Sequence, residues 1–304
     1  MGKTAFIFPG QGAQYAGMGK DFYDNFKECA EVYDNASKAL GIDMCRLCFE
    51  ENDELNITEY TQAAMVTTIG AMLEKIKQYN IKPDVCAGLS LGEYAAMVVS
   101  GVLSLEDAIA LVRKRGIYMQ EAVPTGGAMA AVLGMPNDII EKVCSETEGI
   151  VSVANYNCPG QLVISGEEAA VDKASQTLKE EGAKRVVKLN VSGPFHSKML
   201  TGAGEKLAKE LENVTVNTPI IPYIANVTAD YVTEAAPVKE LLAKQVASSV
   251  KWQQTIEKMI EDGVDTFIEI GPGKTLSGFM KKINKDMKVI NIDKVEDLEK
   301  LTQL

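Results

Sequence analysis

Short apolar runs alternate with longer helical patterns over the first 123 residues. "TAFIF" at 4–8 has the length and character of a strand, and Pro9-Gly10 ends it. After a Gly-rich loop, a helical stretch runs from about Asp21 to Leu40. "TEYTQAAMVTTIGAMLEKIKQY" spaces its apolar residues as a long amphipathic helix that ends near Asn80. "PDVCAGLS" reads as a strand and "LGEYAAMVVSG" as a helix. "SLEDAIALVRKRGIYMQEAV" is a further helix, with Ser104 as its N-cap and Glu106 and Asp107 in its first turn. Strands alternating with helices predict a parallel sheet covered by helices.

The texture changes near Pro124. "TGGAMAAVLGM" is strand-like and "PNDIIEKVCSETEG" helical, and "IVSVANYNCPGQLVISGE" holds two strands around a Pro-Gly turn. "EAAVDKASQTLKEEG" is a helix and "AKRVVKLNVS" a strand. The order βαββαβ predicts a ferredoxin-like subdomain over 125–196, inserted into a larger unit made of 1–124 and 197–304. Beyond the insert, "GAGEKLAKELENV" is helical, "IPYIANVTAD" strand-like and 237–248 helical. "DTFIEIGPGKTLSGFMKKI" runs strand, glycine loop, helix. Its Gly273-Lys274-Thr275 has the tail of a phosphate-binding loop. The glycine required five positions earlier is Ile268, so that motif is rejected.

The chain has 304 residues, 46% of them hydrophobic, enough for a large core. No apolar run reaches the length of a membrane span. "MGKTAFIFPGQG" carries an apolar run too short for a signal peptide, and Phe6 breaks the myristoylation pattern, so a cytoplasmic location is expected. A net charge of −11 argues against nucleic acid as a partner. Six cysteines in such a compartment are expected as free thiols. "CRLC" at 45–48 has metal or redox spacing, but there is no second pair and only one histidine. Helix packing explains it better, and no metal is expected.

The chemistry gathers around "CAGLSLGEYAA" at 86–96. Gly88-Leu89-Ser90-Leu91-Gly92, between a strand and a helix, is the pattern of a nucleophile elbow, a sharp turn that exposes a serine hydroxyl. A serine needs a base, and the single histidine, His196 in "GPFHS", lies where the insert rejoins the larger unit. An oxyanion hole is expected from the Leu91 amide and from Gln11 in the "FPGQG" loop. No acidic residue is marked as the partner of His196. At 100° per residue, Leu105, Ala108, Ile109, Leu111, Val112, Gly116 and Met119 share one helix face, and Arg115 falls inside it. An arginine there is either an internal ion pair or the grip for a substrate carboxylate, and the pattern leaves both open.

Taken together, "FPGQGAQ", "GLSLGEY", "RGIYMQEAVPTGGAMAAVLG", "NYNCPGQLVISG", "GPFHS" and "IEIGPGKTLSGF" resemble, in order and over essentially the whole chain, the malonyl-CoA:acyl carrier protein transacylases and the related acyltransferase domains of polyketide synthases. The resemblance implies an α/β-hydrolase-like large subdomain with the ferredoxin-like insert. It implies a malonyl ester on Ser90, His196 as base and then acid, Arg115 on the malonyl carboxylate, and Gln11 with the Leu91 amide as the oxyanion hole. It also implies that a backbone carbonyl rather than a carboxylate orients the histidine, and Gln245 is the matching residue. Malonyl-CoA and an acyl carrier protein are the implied partners. No resident cofactor is expected, and a monomer is expected. Leu89 departs from the pattern, which has histidine there, and Phe195 matches the malonyl-selective members. The competing readings are a serine thioesterase with the same elbow, which Arg115 would serve nothing in, and a transferase serving polyketide rather than fatty-acid synthesis. Two lysine-arginine clusters are candidate docking faces for an acidic carrier: Lys184, Arg185 and Lys188, or Lys274, Lys281 and Lys282.

Overall fold

Two sheets organise the chain in this computed structural model, which describes residues 2–191 and 193–304. Met1 and Ser192, the serine that opens "SGPFHS", lie outside the described residues. The first strand, β1 (Lys3–Phe8), leads into the Gly-rich loop and a helical layer: α1 (Lys20–Asn25), α2 (Lys27–Leu40), α3 (Met44–Phe49) and α4 (Thr58–Ile76). The single helix expected near 21–40 is two. Phe26 takes extended backbone between α1 and α2, and its ring packs on the core. The "CRLC" stretch lies in α3, where Cys48 is buried and Cys45 half-buried, both free thiols.

α4 departs from the amphipathic expectation, because it is buried along almost its whole length between α2 and α6. Its polar residues are accommodated by local bonds. The Thr61 hydroxyl donates to the Ile57 carbonyl at 3.0 Å, and the Tyr33 hydroxyl donates to Thr68 Oγ1 at 3.0 Å. The chain then forms β2 (Val85–Gly88), α5 (Gly92–Val99) and α6 (Leu105–Ala122), and the Ser104 hydroxyl caps α6 by accepting from the Asp107 amide at 3.0 Å.

The next tract builds the second sheet: β3 (Gly127–Leu133), α7 (Asn137–Glu146), β4 (Val151–Cys158), β5 (Gln161–Glu167), α8 (Glu168–Glu180) and β6 (Arg185–Lys188). Its spatial order is β4-β5-β3-β6, with every pair antiparallel. This is the ferredoxin-like arrangement, with its own apolar core between the sheet and α7 and α8. The chain returns through α9 (Thr201–Glu212), β7 (Tyr223–Ile224), β8 (Tyr231–Val232), α10 (Val238–Gln245), α11 (Trp252–Glu261), β9 (Val264–Ile270), α12 (Thr275–Ile283) and β10 (Lys288–Ile292). β8, α11 and β10 are additions to the elements the pattern predicts.

The larger sheet runs β10-β9-β1-β2-β7-β8. It is parallel except at β8, a two-residue edge strand that turns back on β7. β1 lies in its middle, and its last pair sets Phe8 opposite Gly88 at the end of β2. The candidate nucleophile therefore leaves the sheet at the carboxyl end of its central strands, the end where open α/β sheets place their sites. The α/β class with a largely parallel sheet and a ferredoxin-like second sheet agrees with the sequence reading.

Candidate active site

Ser90 sits in the turn between β2 and α5 with φ of 53°, a left-handed conformation that costs a non-glycine residue on the order of 1–3 kcal/mol. Crowding explains the flanking glycines. A Cβ on Gly88 would lie 1.9 Å from the Gly92 carbonyl carbon, and one on Gly92 would lie 2.2 Å from the Phe8 carbonyl oxygen. The strained backbone is held by polar side chains from the returning half of the chain. The Ser90 amide donates to Asn226 Oδ1 at 2.6 Å, Asn226 Nδ2 donates to the Gly88 carbonyl at 2.7 Å, and Gln245 Nε2 donates to the Ser90 carbonyl at 3.0 Å.

His196 Nε2 lies 2.7 Å from Ser90 Oγ. Its own backbone is left-handed, with φ of 58°, and its ring is buried. Nδ1 faces two carbonyls, Gln245 O at 2.9 Å and Ser248 O at 3.1 Å. Carbonyls only accept, so Nδ1 carries the proton and Nε2 is left as an acceptor for the serine hydroxyl. Burial, and the nearby Arg115 cation, lower the pKa of His196 to about 4. The imidazole is therefore neutral and ready to take a proton. Cys86, two residues before the glycine-flanked turn's Gly88, is fully buried with its thiol pKa raised by burial, which leaves it unsuited as a rival nucleophile.

Arg115 comes from α6 and is 1% exposed. Nη1 donates to Gln62 Oε1 at 2.8 Å, and Nη2 donates to Ser90 Oγ at 3.1 Å and Gln245 Oε1 at 3.0 Å. Its hydrogen bonds thus go to neutral oxygens, and no carboxylate lies within ion-pair distance among the described residues. The internal ion pair that the sequence left open is absent there.

These groups face a cavity of about 620 Å³ between the two sheets. Gln11, Gln62, Leu89, Ser90 and Arg115 line it from the first part of the chain, His196 from the segment after the second sheet, and Met129, Asn155, Asn157 and Val163 from the second sheet itself. Phe195 is there too, as are Thr275 and Phe279 of α12. Gln11 turns its side-chain amide to Thr58 Oγ1 at 3.2 Å. Backbone bonds in the serine turn run from Gly92 N to Leu89 O and from Glu93 N to Ser90 O, which leaves the Leu91 amide out of the pattern. Ser90 with Leu91, His196, Arg115, Gln245 and Gln11 thus come together from five separate places in the chain. Sequence reasoning missed Gln62, Glu93 and Asn226. For Gln62 and Glu93 a signal existed, the same one that marked Arg115: a polar side chain within an apolar helical run. Asn226 in its short loop had none.

Serine, neutral imidazole and a fixed cation around one cavity can carry out acyl transfer through an ester on Ser90. His196 should set the acid limb. The base is the deprotonated form, so Ser90 reactivity toward a fluorophosphonate should be flat from pH 8 to 5 and fall only as the pH drops toward about 4. An inflexion near the ordinary imidazole value of ~6.5, followed by intact mass of the labelled protein, would contradict the buried, neutral ring.

Residues 5–298 match the acyl transferase domain family. The malonyl CoA-acyl carrier protein transacylase of Bacillus subtilis (strain 168) is 47% identical over 304 residues, covering 98% of this chain and 96% of that one. The crystal structure of the protein of the same name from Clostridium perfringens superposes with a TM-score of 0.95 at 49% identity, covering 99% of this chain and 96% of that one. A structure of a type II PKS acyl-carrier protein in complex with its malonyl-transacylase gives a TM-score of 0.96 at 37% identity, covering 99% of each chain.

Proposed function

The chain belongs to the acyl transferase family, and on that premise we propose that it moves malonyl from malonyl-CoA to the phosphopantetheine thiol of an acyl carrier protein through an ester on Ser90. In the first half-reaction Ser90 Oγ attacks the thioester carbonyl while His196 Nε2 takes the hydroxyl proton. The oxyanion that develops is received by the Leu91 amide and by Gln11, whose side chain is turned to Thr58, so that its backbone amide is the donor. The tetrahedral centre collapses, the carbon–sulfur bond breaks, and His196 returns the proton to the departing coenzyme A thiolate. In the second half the carrier thiol gives its proton to His196 and attacks the Ser90 ester, and Ser90 leaves with that proton. The Gln245 and Ser248 carbonyls stabilise the imidazolium that forms in between. Thioester, serine and histidine supply all of this chemistry, so the reading requires no cofactor.

One observation carries the substrate assignment. Arg115 is buried beside Ser90 Oγ with only neutral oxygens as partners. A guanidinium in that state is completed by an anion, and the free carboxylate of malonyl lies within a short chain of the reacting carbon. A simple serine thioesterase has no use for it. We place the enzyme in the cytoplasm as a monomer, serving fatty-acid synthesis. No helix of the described residues is long and apolar enough to cross a membrane, and one chain supplies every group of the site. A carrier of polyketide synthesis is the second reading, favoured by the likeness to the transacylase seen with a type II PKS carrier.

The carrier should dock at the mouth of the cavity. Lys274 is the N-cap residue before α12, Lys281 and Lys282 lie in its last turn, and its Thr275 and Phe279 line the cavity. In the other cluster Lys188 is already paired with Glu168 at 2.7 Å and Asp172 at 3.3 Å. We therefore assign docking to the α12 cluster.

Malonyl-CoA alone should add one malonyl group to the protein, located on Ser90 by peptide mass mapping, and Ser90→Ala should abolish it. Label on a cysteine would overturn the mechanism. Arg115→Ala should lower kcat/KM for malonyl-CoA about 30-fold or more, the loss expected for one partner of a desolvated charge pair, while acetyl-CoA loses far less. Arg115→Lys should recover only part, because an ammonium cannot make the planar two-point contact. Single-turnover acylation with both thioesters, beside a melting curve, is the measurement, and equal losses would make Arg115 structural. Charge reversal at Lys274, Lys281 and Lys282 should raise the carrier's KM and leave malonyl loading unchanged. The same result from the Lys184, Arg185 and Lys188 cluster instead would move the docking face.

A further inference from the structure

Glu93 is a buried carboxylate that the acyl-transfer steps leave unused. It lies in the first turn of α5, three residues after Ser90, and is 1% exposed. Its Oε2 accepts from Gln245 Nε2 at 2.6 Å and from the Asn226 amide at 3.1 Å. Gln245 is the junction of the site. Its carbonyl receives His196, its Oε1 receives Arg115, and its Nε2 serves both Ser90 O and Glu93.

A carboxamide has two faces that differ only in which end donates, and its rotation exchanges them. On one side of the Gln245 amide stand two acceptors, the Ser90 carbonyl and Glu93 Oε2. On the other stands a pure donor, Arg115. Only one rotamer satisfies all three, with nitrogen toward Glu93 and oxygen toward Arg115. If the carboxylate is withdrawn, the shortest contact holding that rotamer goes. The Ser90 carbonyl and Arg115 alone then hold the amide, its position loosens, and any reversal sets an NH₂ group against the guanidinium.

We propose that Glu93 is a positioning residue for Arg115, acting through the side-chain amide of Gln245. The proposal rests on the reading of Arg115 as the malonyl carboxylate grip. Reach matters in this arrangement more than charge. Burial raises the Glu93 pKa to about 7, so the group is only partly ionised at neutral pH. The charged and titratable groups around it are Arg115 from α6, Tyr223 from β7 and Tyr94 beside it on α5. Both tyrosines are kept neutral by burial, and His196 beyond Gln245 is neutral as well.

Two substitutions separate reach from charge. Glu93→Asp keeps the carboxylate and shortens it by one methylene, which pulls the acceptor away from Gln245. Glu93→Gln keeps the reach and an acceptor oxygen and removes the charge. The readout is the malonyl-over-acetyl ratio of single-turnover Ser90 acylation, with Arg115→Ala in parallel. Glu93→Asp should lower the ratio about tenfold, the size of coupling found between neighbours in one hydrogen-bond network. Glu93→Gln should hold it within about twofold, by the same reasoning. In a Gln245→Met background Glu93→Asp should cost no further selectivity, since the connecting amide is gone. The proposal is overturned if Glu93→Asp slows both thioesters equally, if Glu93→Gln rather than Glu93→Asp loses the ratio, or if the losses with Gln245→Met add. Should Arg115→Ala itself leave the ratio unchanged, the carboxylate reading fails, and that result is distinct from all three.

Discussion

A guanidinium buried with no carboxylate in ion-pair contact among the described residues is the constraint around which this site is built. Removing a cation from water is expensive, and Arg115 offsets the loss through well-placed dipoles, with the Glu93 carboxylate one amide further off. Gln62 from α4 and Gln245 from α10 supply two of them, and the Ser90 hydroxyl a third. None of these partners can be replaced by an apolar residue without stranding the charge. The helices that carry them are accordingly held in fixed relation to Ser90. Together with burial, the same cation depresses the basicity of His196, so one buried charge acts on both candidate groups of the cavity.

The second constraint is steric. The serine turn is wedged between the end of β1 and the start of α5, with no room for a Cβ at Gly88 or Gly92. Its left-handed serine would relax if free to do so. Asn226 and Gln245 prevent it by fixing the amide and carbonyl on either side of the strained residue. Backbone strain at Ser90 is thus maintained by hydrogen bonds from the last third of the chain, which also fixes the His196 ring. The two sheets close a cavity over this rigid floor, and the second sheet adds the Asn155 and Asn157 wall.

Much of this was legible in the sequence. Strand–helix alternation indicated the parallel sheet, and βαββαβ the second sheet, because period and turn residues report local burial directly. The elbow was readable because glycines flank a serine between a strand and a helix. Arg115 was visible because it interrupts an apolar stripe. The pattern was less informative where burial is not one-sided. α4, buried along almost its whole length, was expected to be amphipathic, and the break at Phe26 between α1 and α2 carries no proline or glycine to mark it.

By itself the sequence determined which chemical groups are present and in what local geometry: one serine in a strained turn, one histidine, one arginine on an apolar face, and motifs that together point to one family. It left open whether Arg115 meets an acid of its own chain. Only the tertiary structure decided that, by packing α6 against α4 and bringing Gln245 at the end of α10 to the guanidinium, which meets amides and the serine hydroxyl. Likewise, the sequence offered no acid for His196, and the fold places two carbonyls at Nδ1, from Gln245 and Ser248. The physical reason is common to both cases. Local pattern records whether a side chain is buried, but the identity of a buried group's partner depends on segments far along the chain, 49 residues for His196 and Gln245 and 130 for Arg115 and Gln245, brought together only when the sheets close over the site.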